Sequence, residues 1–206
     1  MPTSPALDEP IDGRTARAVR TKDAIVEACL GLVDEGDLRP TGPRIAERAG
    51  VSVRSIFQHF DDLDGLFAAV GERVVVRIGG LIAHIDPSTP LHDRIDAFIH
   101  QRAAVLEALT PVLRAALVHA ASSSVIRGQF EEGHDFLRSQ VSEVFKPELA
   151  MAGEGEAELL RQGLIASLSW PTWDLLRAAQ GQSVAQARAV ITHLVRAQLA
   201  LVADPW

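Results

Sequence analysis

The residues best suited to recognition chemistry fall in one stretch, TGPRIAERAGVSVRSIFQHF, from Thr41 to Phe60. Two short helices that cross closely in a helix-turn-helix need a small residue at their contact, a glycine in the turn and an apolar anchor on the second helix. Ala46, Gly50 and Ile56 have those chemistries at suitable separations, and Ile45, Ala49 and Val51 complete an inner face. Val53, Arg54, Ser55 and Gln58 are left on the outer face of the second helix, where side chains reach base edges in a major groove. Arginine suits guanine, whose O6 and N7 lie at the spacing of its paired donors. An A-x-x-x-G hairpin with an apolar anchor also occurs without any DNA role, so the motif depends on its surroundings.

Upstream, Arg14, Arg17, Arg20 and Lys22 form a basic arm that could contact phosphates or a minor groove, or remain a solvated tail. The net charge of −7 argues on its face against nucleic acid. Its distribution argues otherwise. Between Arg14 and Phe60 eight lysines and arginines stand against six acidic residues, and the rest of the chain carries the acid.

Other chemistries find little support. The histidines are scattered, and Glu131 with His134 is the one E-x-x-H match, whereas a di-iron bundle needs two such pairs from different helices. No H-E-x-x-H, G-x-S-x-G or phosphate-cradling glycine loop occurs. Cys29 falls on the inner face of a helix, where packing is its expected use. Asp96 and His100, four apart, read as a surface pair. No catalytic group, metal or cofactor is expected.

The elements that must position these residues read as helices. Hydrophobic residues make up 47% of the chain, enough for a core, and are mostly Ala, Leu and Val, with only 5% aromatics and no Tyr, a mixture that favours helix over strand. Residues 1–13 read as a disordered tail, acidic and without the apolar core of a secretory signal. From Arg20, Ala24, Ile25, Ala28, Cys29, Leu32 and Val33 recur at helical spacing until Gly36. Thr41 and Pro43 open a second short helix, Gly50 breaks it, and Ser52 caps a third. Longer helices follow at about 63–84, 90–108, 111–121, 124–150, 156–180 and 184–202, with Thr89-Pro90 and Thr110-Pro111 as starts. Ser183 with Gln186 forms a capping box. The longest membrane candidate, 74–85, is far short of the ~20 residues needed to span a bilayer. The expectation is an all-α cytoplasmic chain without a membrane partner.

The amphipathic first helix, the IAERAGVS string and the F-Q-H-F ending resemble the N-terminal signature of the TetR/AcrR family of bacterial regulators, over about residues 20–70. The resemblance implies about nine helices: a three-helix DNA-binding domain at 14–62, then a ligand-binding and dimerisation domain at 63–206. It implies a phosphate contact by Thr41, with Arg44 in the same DNA-facing set, a turn and cap at Gly50, Val51 and Ser52, and DNA contacts from Ser55, Phe57 and His59. Two positions depart from the family pattern. Phe57 stands where a tyrosine hydroxyl would bond a phosphate, and Leu63 where a lysine would.

The resemblance also implies a homodimer through the last helices, where Leu159, Leu160, Gly163, Leu164, Ser167, Leu168, Val190, Ile191, Leu194 and Val195 form apolar stripes. Gly163 and Ser167 would let helices approach closely. Trp170, Pro171 and Trp173 read as a kink within a helix, because the proline removes a backbone hydrogen bond. With Phe98, Arg102, His119, Phe130 and His134 they would line an apolar effector pocket with a few polar anchors. The sequence thus reads as a DNA-binding regulator, a repressor released from a palindromic operator by a small apolar or amphipathic ligand. A helical enzyme or ligand carrier without DNA binding is the alternative, and an activator or architectural protein of the same fold would bind DNA without ligand release.

Overall fold

Ile25, Val26, Cys29, Leu30 and Val33 recur at steps of one, three and four residues, and that seam is sealed along helix α1, Gly13–Asp34. The computed structural model describes residues 13–203; most of the expected tail, residues 1–12, lies outside the described residues. Helix α1 begins earlier than the periodicity from Arg20 suggests, so Arg17, Arg20 and Lys22 sit on its first turns rather than on an extended arm. Its buried face is also wider. Val26 and Leu30 are inside, whereas Ala24 faces out. Gly36, at φ 94°, stops the helix while Asp37 N–H returns to the Leu32 carbonyl.

Nine further α-helices follow among the described residues, with no strand: α2 Gly42–Ala49, α3 Val53–His59, α4 Leu63–Gly79, α5 Leu91–Ala120, α6 Ser124–Val144, α7 Lys146–Met151, α8 Glu154–Leu168, α9 Trp170–Asp174 and α10 Val184–Ala203. A single π-helical turn, Leu175–Ala179, extends α9. One core gathers α1 to α4 around Ile25, Ile45, Ile56, Leu66 and Val70, and takes in Val105 of α5. A second gathers α5 to α10 around Phe98, Leu106, Val141, Leu164 and Val195.

Several helix boundaries differ from the sequence reading, and α4 ends at Gly79 rather than near 84. Helix α5 runs unbroken through Pro111 for 30 residues, about 45 Å. Thr110 is not a cap there: its hydroxyl donates to the Leu106 carbonyl one turn back and accepts the Trp170 indole N–H at 3.1 Å. The packed flanks, Leu106 and Ala115, outweigh the one backbone bond that Pro111 forgoes. Similarly, Pro90 rather than Thr89 precedes Leu91. Next, the expected helix 124–150 divides at Phe145, just before Pro147 opens α7. The freed Val144 carbonyl is taken by Arg94, a buried side chain that also pairs with Glu148. Finally, the expected helix 156–180 breaks at Ser169, in an extended conformation with ψ 157°, so Pro171 opens α9 instead of kinking a continuous rod.

By length and composition α5 is apolar enough to cross a membrane, whereas the sequence alone points to 74–85 as the longest apolar stretch. Helix α5 meets α1, α4, α6, α9 and α10, and its Arg94, Arg102, Glu107 and Arg114 all bond groups on neighbouring elements.

Candidate nucleic-acid interface

The geometry of the hairpin starts at Gly50, whose φ of 67° places it in the left-handed region that closes α2. Val51 N–H returns to the Ala46 carbonyl at 3.0 Å, and Ser52 then accepts the Ser55 N–H at 3.1 Å to start α3. Ile45, Ala46 and Ile56 are sealed between the two helices. One face of α3 therefore points inward through Ile56, and the other is left to solvent. Arg54 and Gln58 are exposed on it, as are Val53 and Phe57 at 38% and 51%. Ser55 is partly covered, its hydroxyl 3.0 Å from that of Ser52, and His59 is partly buried at the helix end.

Thr41 precedes α2 in an extended conformation, and its side chain makes no capping bond, which leaves an exposed hydroxyl beside the hairpin. Arg44 is exposed but bonded to Asp37. Arg17 is exposed on α1; the side chain of Arg14 lies outside the described residues. Lys22 sits over the Phe60 ring, 5.4 Å from its centroid, which ties α1 to the end of α3.

Ion pairing changes the charge balance that the sequence presents. Arg48 grips Glu35 through two bonds of 2.7 Å, Arg44 holds Asp37, and α4 sends Arg73 to Asp23 and Glu27 and Arg77 to Asp34. Five of the six acidic residues between Arg14 and Phe60 are thereby neutralised. The hydrogen bonds from Arg48 hold the Glu35 carboxyl below its ordinary range. Arg17, Arg20, Lys22, Arg39 and Arg54 form no ion pair among the described residues. A chain of negative net charge so keeps a positive N-terminal surface. No local signal could have shown this, because Arg73 and Arg77 lie more than forty residues from their partners.

Cys29 is fully buried, and burial pushes its thiol up to about 12, which leaves it inert at neutral pH. Asp96 pairs with Arg196 of α10 rather than with His100.

The seven residues of the expected effector pocket are spread over α5, α6 and the α8–α9 junction. Phe98 is buried edge-on against Phe145, and Trp173 is buried with its indole bonded to Glu107. Trp170 is partly covered and bonded to Thr110, His119 stacks on Phe67 at 4.4 Å, and Phe130 is partly buried. His134 is exposed and lines an open cleft of about 400 Å³ with Arg138, Gln162, Ile165 and Ser169. Arg102 is bonded to the Leu168 carbonyl.

On the expected dimer stripes, Leu160, Leu164, Ser167, Ile191 and Val195 are buried inside the single chain, where α8 packs on α10. Gln198 covers Gly163 and bonds Ser167 at 2.7 Å, so this small pair accommodates an intrachain glutamine. Val190 is partly buried. Among the described residues, the large apolar side chains left exposed on these two helices are Leu159, Leu194 and Leu201, at 74%, 37% and 52% exposure.

Residues 31–70 match the family model for bacterial regulatory proteins of the tetR family. No curated protein matches the sequence. Among solved structures, a transcriptional regulator from Rhodococcus sp. Rha1 is 18% identical with a TM-score of 0.61, over 90% of this chain and 95% of that one. A Mesorhizobium loti MAFF303099 protein assigned as a TetR-family transcriptional regulator is 18% identical with a TM-score of 0.62, over 90% and 98%. A Pseudomonas aeruginosa PAO1 protein assigned as a transcriptional regulator reaches 22% and 0.63, over 93% and 97%. At these identities the likeness is one of fold, and it extends through the C-terminal helices.

Proposed function

We propose that the chain, whose residues 31–70 match the family model for bacterial regulatory proteins of the tetR family, is a cytoplasmic homodimeric repressor released from a palindromic operator by a small ligand. The observation that carries the DNA-binding half is the outer face of α3, where Arg54 and Gln58 stand exposed without partners among the described residues. Arg54 and Gln58 read bases there, Val53 and Ser55 flank them, and Thr41, Arg44, Ser52, Phe57 and His59 lie against the backbone. Arg17, with Arg20 and Lys22, adds phosphate contacts from α1.

Release acts through α4, the covalent bridge between the two cores. Phe67 of α4 stacks on His119 of α5, and Gln129 of α6 donates to the Ala68 carbonyl at 3.0 Å while lying against Gly71. A ligand that shifts α5 or α6 therefore pulls on α4 and changes the spacing of the two recognition helices. A tenfold loss of operator affinity needs only about 1.4 kcal/mol of differential ligand affinity between the two spacings.

The test is retardation and footprinting of DNA fragments flanking the chain's own gene. Salt-sensitive binding to a discrete near-palindrome supports the reading; failure to bind any fragment favours a helical ligand carrier, and binding that no ligand relieves removes the release step.

A further inference from the structure

Four side chains of α3 stand exposed, and they sort into two stripes along its outer face: Arg54 with Gln58, and Val53 with Phe57, the members of each four residues apart. The first stripe is polar and the second apolar. Single exposed apolar residues are ordinary on a protein surface. Here two large ones share one side of a seven-residue helix, at 38% and 51% exposure, directly beside Arg54.

Val53 is also held in place. Its Cγ1 lies 3.8 Å from where a Cβ on the buried Gly42 would stand, so α2 backs the side chain. A β-branched residue in a helix keeps one strongly preferred rotamer, and ordering Val53 against a partner therefore costs little side-chain freedom.

An isopropyl group has no hydrogen bond to give a phosphate or a base edge. The major groove offers it one apolar partner, the C5-methyl of thymine, which marks a T·A pair among the four base pairs. The rest of the surface fits a duplex better than an apolar partner. Arg17, Arg20, Lys22, Arg39 and Arg54 form no ion pair among the described residues, and an apolar partner seated on Val53 would strip water from Arg54 and Gln58 without replacing its bonds.

We propose that Val53 is a specificity-determining residue that reads the C5-methyl of a thymine in each operator half-site, beside the base pair read by Arg54. The proposal rests on the DNA-binding reading above.

The experiment starts from duplexes that the full chain enriches from a random-sequence library. They are resynthesised with deoxyuridine for thymidine at one position of one half-site at a time, since uracil pairs as thymine does and lacks only the methyl. Affinities for wild type, Val53→Ala and Phe57→Ala are measured by fluorescence anisotropy at one fixed salt concentration. In wild type one thymine of the half-site should be uracil-sensitive, its methyl contributing about fourfold, the effect of burying one CH2-sized group. Val53→Ala should bind thymine and uracil duplexes alike, and Phe57→Ala should weaken all duplexes while keeping the difference. Alanine is a good helix former and Val53 is exposed, so the Val53→Ala variant is expected to fold, with Tm as the check. Binding without any uracil-sensitive thymine overturns the proposal and leaves the DNA-binding reading standing. So does a uracil penalty that Val53→Ala retains or that Phe57→Ala removes, or a loss of all binding in Val53→Ala. Failure of the wild type to enrich any duplex overturns both.

Discussion

Trp173 donates its indole N–H to Glu107 at 2.8 Å, and Arg177 closes on the same carboxylate at 2.9 and 3.1 Å. One acidic side chain of α5 thus anchors both α9 and the π-helical turn that follows it. Arg177 first, and then Trp173, hold the Glu107 carboxyl below its ordinary value of 4.5.

A depressed carboxylate contributes stability that is fully present above its unfolded value and is lost as pH falls through the folded one. Glu107→Gln should therefore lower stability at pH 7 by about 1 kcal/mol, a modest figure because the pair is partly exposed. The deficit should fade as pH drops below 4.5. Urea melts of both proteins from pH 7 to pH 3 check this, and a deficit independent of pH would refute it.

Trp173 is 1% exposed, so Trp173→Ala should cost about 3–5 kcal/mol and act on folding before it acts on any ligand. Trp173→Phe keeps most of the apolar volume and loses the bond to Glu107, and should cost far less. Calorimetry on the two variants separates packing from hydrogen bonding; similar losses would mean the bond dominates.

On α3, Arg54→Ala should lose about 1–3 kcal/mol at one base position per half-site and relax specificity there. His59→Ala should weaken all sequences alike. Affinities against a set of single-base operator variants distinguish the two patterns, and a uniform loss for Arg54→Ala would make it a phosphate contact.

Gly50 adopts φ 67°, where a side chain costs about 1–2 kcal/mol. Nothing lies within 4 Å of an added Cβ, so Gly50→Ala should be destabilised by backbone strain alone. Its Tm should fall while operator affinity at low temperature persists. An unchanged Tm would show that the turn adapts.

If two copies present α3 on one face of a duplex, half-site centres should lie about 34–36 Å apart, one helical turn. Footprinting of the operator with sedimentation of the free protein tests this, and a monomer protecting one asymmetric half-site would rule the arrangement out.

Local chemistry was legible in the sequence because it acts over three or four residues. The turn at Gly50, the Ser52 cap and the Ser183–Gln186 box appear as read, the last with reciprocal bonds of 2.9 and 3.2 Å. So does the outward face of α3, since Ile45, Ala46 and Ile56 leave it no other direction. Proline was ambiguous for a physical reason: the missing N–H is as compatible with a first turn as with a helix held straight by its neighbours. Only packing made Pro111 internal to α5 and Pro171 the start of α9. The apolar stripes of α8 and α10 were likewise visible, but whether Leu164 and Val195 meet each other's helix or a second chain depends on where α5 lies. Charge was the least legible. The N-terminal acids are silenced by Arg48, Arg73 and Arg77, and Arg102 is left without a counter-ion, through separations that no sequence pattern encodes.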